Sequence, residues 1–169
     1  MPTRKQPLFV DLDETLIYAT DGATPALEAF RDAKQIGPYT ALLRPEAREL
    51  LAMCRSGGRE VFLFTSAFFT YAFAVSDAFS LGFGQNTIFS LSMILNCRPG
   101  LSPRSALIDN KPPSAEPTQE KMRALGLTAE QVWLIPSFEP PRFPSAKLFL
   151  LGLPLRLERL DRAARLATV

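Results

Sequence analysis

The sequence has no histidine, one tryptophan and two cysteines in 169 residues. Without histidine there can be no Ser-His-Asp triad, no Cys-His pair and no histidine-ligated zinc or haem, so any acid–base work falls to carboxylates. Cys54 and Cys97 are too few and too far apart to read as a disulfide framework, and two buried thiols in a reduced compartment are expected. Excess charge of either sign is lacking. The formal net charge is +2, without the concentrated basic patch that a nucleic-acid partner requires. A membrane-spanning run is lacking as well. Residues 61–76 are uncharged but fall short of the ~20 apolar residues a span needs, and the later uncharged stretch contains Gly82, Gly84, Gln85 and Asn86. Thr3-Arg4-Lys5 leads only into a short apolar strand, so no signal peptide and no membrane partner are expected, and the expected location is cytoplasmic. There is no internal repeat and no low-complexity segment.

What is present suits one compact domain over residues 1–169, since 47% of the residues are hydrophobic. The most informative segment is Asp11-Leu12-Asp13-Glu14-Thr15-Leu16, which follows the apolar run Leu8-Phe9-Val10. Two carboxylates at alternate positions, where a buried strand gives way to a turn, suit a site that binds a metal and takes a phosphoryl group. A carboxylate that attacks phosphorus splits one hard displacement into two easier ones, and Asp11 is the candidate. Asp13 is the candidate acid that protonates the leaving oxygen and later deprotonates water. Attack of an anion on an anion calls for a hard cation, and Mg2+ with few protein ligands, Asp11 among them, is the expected cofactor.

Two further apolar runs end in compatible groups: 60–64 at Thr65-Ser66, and 105–108 at Asp109-Asn110-Lys111. Strands are also expected at 39–43, 87–95 and 131–135. Helices are expected after Pro45 up to Gly57-Gly58, over 67–81 with Phe68 on its inner side, and over 117–125 closed by Gly126. The Phe-rich set, including Phe62, Phe64, Phe68, Phe73 and Phe83, reads as packed interior. Trp133 reads as core. Arg44 is expected either to hold the first loop through a carboxylate or to form a surface pair. A helical tail over 145–169, interrupted near Pro154, carries Leu150, Leu153, Leu157, Leu160 and Ala164 on one side. That side is expected to pack on the domain, leaving Arg156, Arg159, Arg162 and Arg165 with Glu158 and Asp161 on a solvated face.

The first motif, with Leu43-Arg44-Pro45, Phe64-Thr65-Ser66-Ala67 and Ile108-Asp109-Asn110 in this order, resembles the haloacid dehalogenase superfamily. Within it the chain is similar to the branch of phosphatases that act on the polymerase carboxy-terminal domain (the NLI-interacting-factor-like branch) and their bacterial relatives. The resemblance implies an α/β fold: a three-layer, Rossmann-like domain with a mostly parallel sheet, a small flap at 18–43 and no large cap. It implies Asp11 as nucleophile and Asp13 as general acid and base, with a metal site of Asp11, the Asp13 carbonyl, Asn110 and a supporting Asp109. Phosphate would meet Leu12, Thr65 and Ser66. The family's lysine, usually found before the Asp-Asn pair, is absent, because only Arg98 and Arg104 are cationic between Thr65 and Asp109. Lys111 is the expected replacement for catalysis and phosphate binding, with Arg98 second.

An uncapped site suits a phosphoprotein or another large phosphorylated partner. The alternatives are a phosphatase of small metabolites or nucleic-acid ends, and a catalytically silent domain that binds a partner.

Overall fold

The computed structural model describes residues 6–21, 30–94, 105–140 and 142–166. In chain order the strands are β1 (Leu8–Val10), β2 (Ile17–Asp21), β3 (Lys34–Ile36), β4 (Tyr39–Leu43), β5 (Val61–Thr65), β6 (Ile88–Ser90), β7 (Ala106–Asp109) and β8 (Val132–Leu134). The helices are α1 (Ala47–Cys54), α2 (Phe69–Ala78), α3 (Leu91–Ile94), α4 (Glu116–Leu125) and α5 (Lys147–Leu166).

Leu8, Phe9 and Val10 are all fully buried, which a strand achieves only at the centre of a sheet covered on both sides. β1 indeed lies in the middle of a parallel sheet of order β6-β5-β1-β7-β8. Its side chains alternate between two cores. Leu8 and Val10 pack with Leu50 of α1, Val75 of α2 and Leu153 of α5, whereas Phe9 packs with Phe64, Leu107 and Leu125 on the side of α4. The fold is therefore a three-layer α/β sandwich. The chain builds β5 and β6 on one side of β1, then crosses to add β7 and β8 on the other. This reversal leaves a crevice beyond the carboxyl ends of β1, β5 and β7, where open α/β sheets hold their ligands.

Within the stretch expected as a flap, β2, β3 and β4 form an antiparallel sheet of order β2-β4-β3 whose β3–β4 hairpin turns at Gly37 with a left-handed φ of 57°. Part of the flap, 22–29, lies outside the described residues, as does 95–104, which contains Cys97, Arg98 and Arg104.

Several expectations change. The strand expected over 87–95 ends at Ser90, and Leu91–Ile94 is helical. α2 begins at Phe69, because the Thr65 hydroxyl oxygen accepts the Ala67 N–H at 3.0 Å and competes with helix formation in the preceding turn. Phe68 is consequently extended and 77% exposed, outside the core. α5 runs through Pro154 without interruption. It buries Leu150, Leu153 and Leu157 and leaves Leu148, Leu151 and Leu155 exposed. The Ala164 and Arg165 side chains lie outside the described residues. Asp161 turns inward from the expected solvated face to hold the buried Arg59 at 2.8 and 2.9 Å. No described helix is long and apolar enough to cross a membrane.

Candidate active site

The register of the central strands assembles the site. Val10 is paired with Leu63 on β5 and with Ile108 on β7, so Asp11, Thr65 and Asp109 emerge at the same end of three neighbouring strands. The Asp11 N–H still donates to the Ile108 carbonyl at 2.9 Å, which fixes the backbone where the strand gives way to the loop. Asp11, Thr65 and Asp109 are buried, and Asp13 and Asn110 are half-buried.

Beyond Asp11 the chain coils tightly. Leu16 and Ile17 donate to the Leu12 carbonyl at 2.8 and 3.2 Å, and Glu14 adopts a left-handed φ of 59°. A non-glycine residue pays for such a conformation unless its surroundings hold it. Here its N–H donates to Ile17 at 2.6 Å, its carbonyl accepts from Phe138, and its carboxylate accepts from Asn110 Nδ2 at 2.9 Å and from the Ser137 hydroxyl at 3.2 Å. The Thr15 hydroxyl lies 3.1 Å from Asp11 Oδ2 and 3.3 Å from Asn110 Oδ1, so the ends of β1 and β7 meet at one point.

The cation is Lys121, on α4. Its ammonium donates to Asp11 Oδ1 at 2.6 Å and to Asp109 Oδ2 at 2.9 Å, and the residue is 4% exposed. The place expected for Lys111 is thus taken by a lysine ten positions later. The Lys111 side chain is exposed, and the residue meets Asp109 through its backbone N–H at 2.9 Å. Arg98 lies outside the described residues. A signal for Lys121 was present in the sequence: Thr118, Lys121 and Leu125 share one face of the amphipathic α4, and a lysine on a buried face needs a partner.

Burial pushes the Asp11 carboxyl up to about 7, against the pull of Lys121, and neighbouring Asp109 adds to the rise. Burial also works against the Lys121 charge, but Asp11 and Asp109 outweigh it and hold the ammonium above the ordinary lysine range. Asp13 is raised by burial, although the Tyr71 hydroxyl, donating at 3.1 Å, and Thr65 both favour its ionised form. A carboxyl raised in this way suits proton transfer.

Among the described residues no three or more His, Cys, Asp or Glu side chains form a metal cage. The convergent donors are instead Asp11 Oδ2 and Asn110 Oδ1, two hard oxygens on either side of Thr15. That small set fits a magnesium ion that keeps most of its water.

Arg44, missed as an organiser, is fully buried and bonds backbone carbonyls rather than a carboxylate. It donates to Thr15 at 2.6 Å, Pro144 at 3.1 Å and Glu14 at 3.2 Å, and also to Pro136, and it lies over the Phe138 ring. The loop carrying Asp13 is thereby tied to the loop after β8. Trp133 is buried in the core. Leu12 is buried and Ser66 is exposed. Beside Asp13 opens a groove of about 620 Å³, bounded by Ile36, Pro38 and Tyr39 of the flap and by Phe68 and Tyr71, with no lysine or arginine in its walls among the described residues.

No family model matches the chain, and no curated protein matches it. Solved structures do. The chain is similar to Fcp1, described as an essential RNA polymerase II CTD phosphatase, with a TM-score of 0.53 and 16% identity over 95% of this chain and 52% of that one. It is similar to the fission yeast enzyme Fcp1-R271A bound to beryllium fluoride, with a TM-score of 0.50 and 16% identity over 97% and 54%. The HAD domain of the Legionella pneumophila effector protein Lem4, an inactive mutant, aligns with a TM-score of 0.47 at 12% identity over 89% and 94%. The chain spans about half the length of the two Fcp1 chains. The parallel sheet with β1 at its centre and the fold-level likeness to Fcp1 agree: the chain has a three-layer α/β fold like that of Fcp1.

Proposed function

We propose that the protein is a magnesium-dependent phosphomonoesterase that works through an aspartyl phosphate on Asp11. The observation that carries this reading is the Lys121 ammonium, shared between Asp11 and Asp109 at the ends of adjacent strands with Asp13 beside them. An Asp11 oxygen attacks phosphorus as the bond from phosphorus to the ester oxygen breaks, and Asp13 gives its proton to that leaving oxygen. Asp13 then takes a proton from water, which attacks phosphorus, releases inorganic phosphate and regenerates the Asp11 carboxylate. Lys121 lowers the charge repulsion between Asp11 and the incoming phosphate, and Thr65 offers its hydroxyl to a phosphate oxygen. Magnesium, held by Asp11, the Asp13 carbonyl and Asn110 with Asp109 behind them, would supply further positive charge to the phosphoryl oxygens.

A catalytically silent domain would need no cation at Asp11, and the Lys121 ammonium stands 2.6 Å from its carboxylate. The groove beside Asp13, with Asp13 and Asp21 and no lysine or arginine among its described walls, disfavours a polyphosphorylated metabolite. We assign the substrate class as phosphoproteins, in keeping with the fold-level likeness to a CTD phosphatase. Hydrolysis of p-nitrophenyl phosphate with and without magnesium tests the reaction: turnover is expected only with the ion, and Asp11→Asn is expected to abolish it. Unchanged turnover in Asp11→Asn would falsify the assignment of the nucleophile.

A further inference from the structure

A second groove, of about 840 Å³, opens at the other end of the β3–β4 hairpin, and its chemistry is the opposite of the first. The groove beside Asp13 meets the hairpin near Gly37-Pro38-Tyr39 and, among the described residues, has Asp13 and Asp21 as its charged walls. The second meets Lys34, Leu42 and Leu43 and gathers Arg31, Lys34, Arg44, Arg48 and Arg142 around one carboxylate, Asp32. Several of these cations are fixed by backbone carbonyls. Lys34 donates to Ala78, Arg48 to Phe79 at 2.8 Å, and Arg44 to the carbonyls already described. A carbonyl orients a cation without cancelling its charge. Among the described residues none of the five lies within salt-bridge distance of a carboxylate.

The inner wall is aromatic. Phe143 packs edge-on against Phe30 at 5.6 Å, and its ring centre lies 5.0 Å from that of Phe138. Rings turned on one another in this way give an apolar wall rather than the open faces on which nucleic-acid bases stack.

We propose that this groove is a docking site for an acidic peptide segment of the phosphorylated partner, with carboxylates along the cationic rim and an apolar side chain against the phenylalanine wall. Charge complementarity selects the occupant. Arg44 ties the groove to the reaction: the residue lies in the groove wall, fully buried, and its guanidinium holds the Glu14 and Thr15 carbonyls of the loop that carries Asp13. The site rests on the phosphatase reading and deepens it: the acidic segment anchors the partner while its phosphate reaches Asp11.

Binding is measured on the full chain by fluorescence anisotropy with a short unphosphorylated peptide of Asp and Glu around a central Phe. The comparison probes are its Asn/Gln counterpart and a labelled single-stranded oligonucleotide. The acidic peptide is expected to bind, to weaken as salt is raised, and to lose about tenfold in affinity in the double variant Arg31→Glu/Arg142→Glu. The hydrolysis of p-nitrophenyl phosphate and the thermal unfolding of that variant stay at wild-type values. Equal binding of the neutral peptide, unchanged affinity in the charge-reversed variant, or binding of the oligonucleotide alone overturns the proposal. Charge-dependent peptide binding without any phosphate hydrolysis would sink the phosphatase reading and leave the groove standing, whereas hydrolysis without peptide binding does the reverse.

Discussion

One ammonium group balances two carboxylates in a site almost closed to water, so its removal strands both. Breaking a buried charge pair from one side costs about 3–5 kcal/mol, far more than the pair itself is worth against an apolar replacement. Lys121→Met is therefore expected to lower stability by about that amount in urea denaturation and to abolish turnover. The deficit depends on pH. A carboxyl whose folded-state pKa lies above its unfolded value destabilises the fold fully above the folded value, and the penalty fades as falling pH protonates it in both states. Asp11 is already pushed up to about 7 by burial with Lys121 present. Without the lysine it rises further, so the deficit relative to the parent, measured without divalent ions, shrinks as the pH falls from the variant's raised value towards about 7. Lys111→Met, on an exposed side chain, is expected to stay within about 0.5 kcal/mol of the parent and to keep its activity. A large loss in Lys111→Met with a small one in Lys121→Met would reverse the two roles.

At the scale of elements, the legible parts were those that announce themselves locally. β4 could be read because Tyr39-Thr40-Ala41-Leu42-Leu43 is bounded by Gly37-Pro38 and Pro45, and α4 because Pro117 opens it and Gly126 closes it in a left-handed turn. Asp11, Asp13, Asp109 and Asn110 stood out because each follows a buried strand. Arg44 did not, since its partners lie far away in sequence and no local pattern records a tertiary contact, and the buried face of α4 marks Lys121 as needing a partner without saying which. The start of α2 was misplaced for the opposite reason: a local hydroxyl contact overrode helical periodicity. Arg44 is also where a prediction belongs to a loop rather than a residue. It satisfies carbonyls at Glu14, Thr15, Pro136 and Pro144 together, and each lost bond to a charged donor costs about 1.5–3 kcal/mol. Arg44→Met is expected to destabilise the protein by roughly 3 kcal/mol or more and to open the loop after β8 to limited proteolysis. Wild-type resistance of that loop would show that Arg44 does not anchor it.

Across the whole molecule, α5 is fastened to the end of the sheet remote from the site. Arg59, just before β5, donates to the Gln6 carbonyl at 2.6 Å and with both bonds of one amino group to Asp161. Its Nε is buried without a partner among the described residues, so the Asp161 contact is the main compensation for its charge. Asp161→Asn is expected to cost about 2–3 kcal/mol and to lower the thermal midpoint while p-nitrophenyl phosphate turnover in the surviving folded fraction stays unchanged. A loss of turnover per folded molecule would mean that the remote end communicates with the site. The near end behaves differently. Because the compensating charge arrives on α4, a helix that packs through a single face, the crevice at Asp11 inherits that helix's fluctuations. Each brief lifting of Glu116–Leu125 leaves two anions facing one another in dry surroundings, and amide hydrogen exchange along that segment should slow when a phosphate mimic locks the lysine in place.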